Sequence, residues 1–343
     1  MTDTKQDYLS KPVLVTGASG FVGSHIARLL AQQGRKLRVL VRKTSNIEAI
    51  ADLGADIRYG DVLDPDSIRA ATEGCGSVFH CVVDPRFWLS DPTPIYRNNV
   101  EGACNVMDAA LACGVQRFIF TSTIGTLGLN PTGPVSEETE FNWHDKASSY
   151  ILARLEAEKQ FMNYCRDKNL PGVALCISIT YGPQDFQPTP HGKMLWEIAS
   201  GKVKHTLDAS APTVDIRDTA EAALAAEQHG KIGERYIISN EFVSNKDLYQ
   251  LAVSERGTAP PKLISLKIAY AAAWVTENIC KLIGKKDNIA TTNAVFLSTV
   301  FREMDNSKAR RDLHWTPRPI RDTVKDAVAW YAQREAQSGS SAP

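Results

Sequence analysis

The sequence predicts an α/β protein, with a doubly wound parallel sheet and a smaller, mostly helical part. Three observations predict it. Short apolar runs alternate with helical patterns from Val13 to Ile238, which implies parallel strands joined by crossover helices. The first run, Val13-Leu14-Val15, is bounded by Pro12 and Gly17, and Gly17, Gly20 and Gly23 follow at three-residue spacing before a helix. The alternation fades after Pro183, where proline-rich and helical stretches take over. At 343 residues the chain exceeds a typical single core and suits one large or two modest domains.

Each element has a local reason. Val13–Val15 fits a strand buried on both faces. Phe21, Val22, Ile26, Leu29 and Leu30 recur at helical spacing up to Gly34, a stop signal. Lys36–Val41 alternates basic and apolar residues as a second strand. Asn46–Leu53 is expected to be a helix ending near Gly54, and Asp56–Tyr59 a third strand. Asp64 suits the N-cap and Pro65 the first turn of the next helix. Gly76–Val83 reads as a fourth strand, Asn98–Cys113 as a helix stopped at Gly114, and Gln116–Thr121 as a fifth strand. A long helix is expected over His144–Lys168, then a strand over Leu170–Ile179. Further on, a helix is expected over His191–Gly201. Thr213–Asp218 is a short strand running into a helix, Thr219–His229, and Arg235–Ile238 is another strand. From Asn245 the pattern is helical, broken at Gly257, Pro260–Pro261 and Gly284, and the last helix spans Asp322–Arg334.

Strand, glycine turn and helix N-terminus together make a dinucleotide site of Rossmann type. The turn glycines let the backbone approach a pyrophosphate, and free helix N–H groups face its charge. The spacing here is Gly-x-x-Gly-x-x-Gly rather than Gly-x-Gly-x-x-Gly. Arg42 and Lys43 end the second strand, about 20 residues past the turn, where this fold meets the adenosine ribose. Cations there suit a 2′-phosphate, so NADP(H) is expected in preference to NAD(H). The dinucleotide-binding part is then 1–182, with returns near 213–240. Residues 183–212 and 241–336 would form the substrate-binding part, and 337–343 a disordered tail.

Composition excludes several classes. Basic and acidic residues balance at 39 each, so neither nucleic acid nor an anionic membrane is implied as a partner. The most apolar later stretch, Leu263–Ile283, is interrupted by Lys267, Glu277 and Lys281 and reads as a lid or core helix rather than a span. Seven cysteines are scattered without metal-ligand spacing, so no metal is expected and a reducing, cytoplasmic setting fits.

The motif set resembles the extended short-chain dehydrogenase/reductases over nearly the full chain. It comprises Thr16–Gly23, Gly60-Asp61-Val62, Asn99-Val100-Glu101-Gly102, Thr121-Ser122-Thr123, Tyr150 with its helix, Tyr181-Gly182-Pro183 and Asp215–Asp218. Arg86–Pro92 and Gly182–Pro190 look like the dihydroflavonol-reductase-like and hopanoid-associated sugar-epimerase-like members. The resemblance implies roles. Gly17, Gly20 and Gly23 would line the pyrophosphate, Asp61 and Val62 would contact the adenine, and Ser19, Phe21, Val22 and Cys81 would complete the cofactor set. Thr123 would hold a substrate oxygen, and Tyr150 would be the acid/base. A homodimer contact through the helices after strands four and five is also implied.

One position departs from the family. Its catalytic pair is Tyr-x-x-x-Lys, whereas here Tyr150 is followed by Arg154. Arginine keeps the charge but is planar and forked. It could bind the cofactor ribose as the lysine does, the proton could take another route, or the chain could bind nucleotide without turnover. Arg86, Phe87, Trp88, Tyr181 and Phe186 are candidate substrate contacts, with Trp196 beside them, and suit an apolar or aromatic carbonyl compound. The expected reaction is hydride transfer between NADPH and a ketone or aldehyde. An NAD-dependent sugar epimerase or dehydratase, and a non-catalytic dinucleotide-binding protein, are the alternatives.

Overall fold

The computed structural model describes residues 7–86, 88–89, 91–283 and 291–339. The first half contains β1 (Val13–Thr16), α1 (Phe21–Gln32), β2 (Leu37–Val41), β3 (Asp56–Tyr59), α2 (Pro65–Thr72), β4 (Ser77–His80), α3 (Thr93–Tyr96), α4 (Gly102–Ala112), β5 (Arg117–Thr123) and α5 (Ser149–Asp167). It continues with β6 (Gly172–Ile177), β7 (Ile179–Tyr181), α6 (Pro190–Ala199), β8 (His205–Leu207), β9 (Ser210–Asp215), α7 (Ile216–His229), β10 (Arg235–Ile238) and β11 (Glu241–Ser244). The C-terminal elements are α8 (Asn245–Ser254), β12 (Lys262–Ile264), α9 (Leu266–Leu282), α10 (Thr292–Val300), α11 (Ser307–Leu313) and α12 (Ile320–Gly339).

Seven parallel strands form the central sheet in the order β3-β2-β1-β4-β5-β6-β10. β1 lies at its centre, with Val13 in register with Leu37 on one side and Ser77 on the other. All four β1 side chains are fully buried, as an apolar run between two layers of helices requires. Ile26 and Leu30 of α1 and Ala222 and Ala223 of α7 cover one face. Ile68 of α2, Val106 of α4 and Phe161 of α5 cover the other. Strand order reverses between β1 and β4, which opens a crevice at their carboxyl ends, the ligand position of this Rossmann-type fold.

α11 packs on the main core through Ala309 and Leu313, and two smaller sheets complete the fold. β7, β9 and β11 make a small mixed sheet, and β8 pairs with β12. Their core joins Tyr181, Leu195, Trp196, Leu248, Val324 and Tyr331.

Several boundaries differ from the sequence reading. Asn46–Leu53 gives only a short 3-10 turn at Glu48–Ile50. The helix expected from Asn98 starts at Thr93 and passes through a π-turn at Arg97–Glu101 before α4. His144–Lys146 is a separate 3-10 turn, and α5 starts at Ser149, where Ser148 caps it. The strand expected over Leu170–Ile179 splits into β6 and β7, and β7 leaves for the second sheet. β8, β11 and β12 are too short for their alternation to stand out. The last helix continues to Gly339, so the first part of the expected tail is helical. α9 is no core helix: Ile268, Trp274, Ile279 and Leu282 are all more than half exposed. Among the described residues no helix is long and apolar enough to cross a membrane.

Candidate active site

The crevice begins at the turn after β1. Gly17 has φ +73°, and a Cβ there would lie 2.7 Å from the Cys81 carbonyl. A Cβ on Gly23 would lie 2.3 Å from the Gly17 carbonyl oxygen. Packing therefore demands both glycines. Gly20 is different: its nearest neighbour would be 3.4 Å away, and the residue is exposed. The packing leaves room for a side chain here. Gly20 caps α1 with no side-chain hydrogen bond, which leaves the first N–H groups of the helix facing the crevice. Ser19, Phe21 and Val22 are half-buried along this turn.

Arg42 and Lys43 are exposed at the end of β2, and neither side chain has a partner among the described residues. Asp61 is half-buried and accepts from the Leu63 N–H at 2.9 Å, next to buried Val62. The Cys81 N–H donates to the Thr16 carbonyl at 3.0 Å, and burial pushes its thiol up to about 12. That thiol is protonated and inert at neutral pH.

β5 and α5 bring the catalytic candidates together. β5 runs two residues further than expected and ends at Thr123. The Thr123 hydroxyl oxygen accepts from the Gly125 N–H at 3.2 Å. Ile151 fits tightly against Gly125, where a Cβ would lie 2.4 Å from its Cδ1, so the start of α5 is pressed onto this turn. Tyr150 stands half-buried in the first turn of α5. Burial raises its phenol above the ordinary value, and the Arg154 charge offsets only part of that.

Arg154 follows one turn later on the same face and is 1% exposed. Its Nη2 donates to the Thr121 carbonyl, and the guanidinium lies 5.0 Å from the Phe120 ring. Nε and Nη1 are buried and have no hydrogen-bond partner among the described residues. Guanidinium N–H groups left in that state are costly, and such orphans mark a place for an acceptor. Phe120 in turn stacks on His80 at 5.9 Å, and His80 Nδ1 pairs with the Thr16 hydroxyl at 2.8 Å. Burial holds His80 down to about 3, so it is neutral. The floor of the site thus links Arg154 to the end of β1.

Glu158 is a neighbour that sequence reading missed. It is 3% exposed, and its carboxylate accepts from Ser122, from Thr126 at 2.8 Å and from Arg235 at 2.8 Å. Its spacing of four from Arg154 on one helix was the available signal; Arg235, far along the chain, gave none.

The proposed substrate contacts do not all converge. Arg86 is tied to the buried Asp84 carboxylate by Nε at 2.7 Å and Nη2 at 2.5 Å, and Asn98 also donates to it at 2.9 Å. Trp88 is half-buried, and Phe87 lies outside the described residues. Tyr181 is not a pocket wall: it is 5% exposed and packed in the second core with Trp196. Phe186 turns toward α12, edge-on to Trp330 at 5.5 Å. Among the described residues no cluster of metal-ligating side chains is present.

Residues 13–239 match the model of the NAD dependent epimerase/dehydratase family. The chain belongs to that family. Its fold is that of the extended short-chain dehydrogenase/reductases, enzymes that work with a nicotinamide dinucleotide. It is 28% identical to a putative dihydroflavonol 4-reductase of Synechocystis sp., over 92% of this chain and 93% of that protein. It is 27% identical to sterol demethylase protein B of Methylococcus capsulatus, over 94% and 98%. The crystal structure of gox2253 superposes with a TM-score of 0.84 at 36% identity, covering 94% of this chain and 98% of the other.

Proposed function

We propose that this family member is an NADP(H)-dependent oxidoreductase that interconverts an apolar or aromatic ketone or aldehyde and the corresponding alcohol. One observation carries the reading: Tyr150 stands one turn before a buried Arg154 that reaches the Thr121 carbonyl of β5 and whose Nε and Nη1 have no hydrogen-bond partner among the described residues. The bound dinucleotide would supply or take the hydride. Gly17, Gly20 and the α1 N-terminus would hold its pyrophosphate, and Arg42 and Lys43 the 2′-phosphate. Arg154 would donate Nε and Nη1 hydrogens to the nicotinamide ribose hydroxyls, and its fixed charge would favour negative charge on the Tyr150 oxygen.

Thr123 and Tyr150 divide the work on the substrate oxygen. The Gly125 N–H occupies one lone pair of the Thr123 hydroxyl, which leaves its hydrogen to donate to the carbonyl oxygen. That bond strengthens as negative charge develops on the oxygen. Tyr150 then gives its phenolic proton to the same oxygen, completing the alcohol. The relative named as a dihydroflavonol reductase supports carbonyl reduction. Arg86, a cation that a sugar diphosphate would need, is already committed to Asp84, which favours an apolar substrate.

The test is NADPH consumption by the purified protein over a panel of aromatic and aliphatic carbonyls, with the alcohol identified as product. Turnover of apolar carbonyls supports the reading. Silence across the panel, with tightly retained NAD in the protein, would overturn it in favour of an epimerase or dehydratase.

A further inference from the structure

Two side chains, Gln187 and Arg334, tie the loops after β1 and β2 to the loop after β7 and to α12. Gln187, in the loop after β7, donates through Nε2 to the Ser19 carbonyl at 2.8 Å and the Asn46 carbonyl at 3.4 Å. Ser19 belongs to the glycine turn, and Asn46 to the loop that follows Arg42 and Lys43. One side chain thus bridges the pyrophosphate loop and the 2′-phosphate loop. Beside it, Arg334 of α12 grips Glu48 with both ends of its fork, at 2.8 and 2.9 Å.

The back of this assembly is firm and its front is weak. Asp185, 1% exposed, accepts from the Tyr331 hydroxyl at 2.7 Å and from the Thr189 N–H and hydroxyl at 2.8 Å. The Arg334 guanidinium lies 5.1 Å from the Phe186 ring and 5.4 Å from Trp330. The loop after β7 and the end of α12 therefore move as one body. Its contacts with Ser19, Asn46 and Glu48 are exposed and polar, the kind that open first.

We propose that Gln187 and the Glu48–Arg334 pair form a clasp across the adenosine end of the dinucleotide groove, and that its opening gates cofactor binding and release. This rests on the reading that the turn after β1 and the loop after β2 hold NADP(H). The two loops must separate from the clasp for the dinucleotide to pass between them. The clasp residues touch no reacting atom. They act by positioning the loops.

The test is stopped-flow NADPH binding and displacement, read by protein fluorescence, on the full chain and on Gln187→Ala, Glu48→Ala and the double variant. Each single change should speed association and release together by about five-fold, the upper effect of one exposed polar contact, with little change in equilibrium affinity or Tm. Joining Glu48→Arg with Arg334→Glu should restore slow exchange. NADPH exchange equally fast in wild type and the double variant would overturn the clasp while leaving the cofactor reading intact. No NADPH binding by wild type would overturn both.

Discussion

Replacing Arg154 by methionine separates the structural role of this residue from its functional one. Methionine is unbranched and flexible enough to fill much of the same space. The change removes the hydrogen bond to the Thr121 carbonyl, worth about 1.5–3 kcal/mol as a charge-assisted bond, and the contact with the Phe120 ring, worth about 2 kcal/mol when desolvated. Against this, a buried cation with two unpartnered N–H positions disappears, which relieves a desolvation cost of several kcal/mol. Glu158 is not stranded, since Arg235, Ser122 and Thr126 still satisfy it. The opposing terms nearly cancel, so stability in urea should change by less than about 2 kcal/mol. Cofactor affinity has no such compensation. Losing charge-assisted bonds to the ribose should weaken NADPH by roughly 10- to 150-fold. Urea unfolding and NADPH titration on one preparation measure both. Unchanged NADPH affinity alongside collapsed stability would make Arg154 a purely structural residue with no contact to the cofactor ribose.

The glycines should divide sharply. Gly20→Ala meets nothing closer than 3.4 Å and should fold normally but bind NADPH poorly, whereas Gly23→Ala, facing an oxygen at 2.3 Å, should lower Tm or fail to fold; melting curves with NADPH titration distinguish the two. Arg42→Ala should weaken NADPH roughly ten-fold or more and leave NADH nearly unchanged; equal loss for both, measured by titration, would reject the 2′-phosphate contact. The pH profile follows from Tyr150. Its phenol lies above the ordinary value because burial outweighs the Arg154 charge, so the proton donor persists through neutrality. Carbonyl reduction should stay flat through neutrality and decline only at strongly alkaline pH, while alcohol oxidation, which needs the phenolate, should climb as pH rises. Initial rates in both directions check this, and a reduction rate that falls near neutrality would contradict it.

The sequence showed most of what local pattern can show. Val13–Val15, the three glycines, and Asp64 with Pro65 act through neighbours in the chain, and each lies where those neighbours place it. Tyr150 and Arg154 were legible because helical spacing puts them on one face. What escaped depends on long-range packing. Nothing near Tyr181 signals that β7 would leave the main sheet and bury that ring against α6. Phe186 finds Trp330 across the fold, and the Asp84 carboxylate that takes up neighbouring Arg86 is also held from a distance by Asn98. Glu158 shares the helix of Arg154, but its burial comes from Ser122 and Arg235 on strands. The Asn46–Leu53 stretch has helical apolar spacing yet makes only one 3-10 turn, with Asn46 and Glu48 drawn toward Gln187 and Arg334.

The most direct measurement is carbonyl reduction by wild type and Tyr150→Phe, with NADPH binding titrated on both. Wild type should turn over, the variant should not, and the two should bind NADPH with equal affinity. Undiminished turnover in Tyr150→Phe would contradict the assignment of Tyr150 as the proton donor, and with it the proposed reaction geometry.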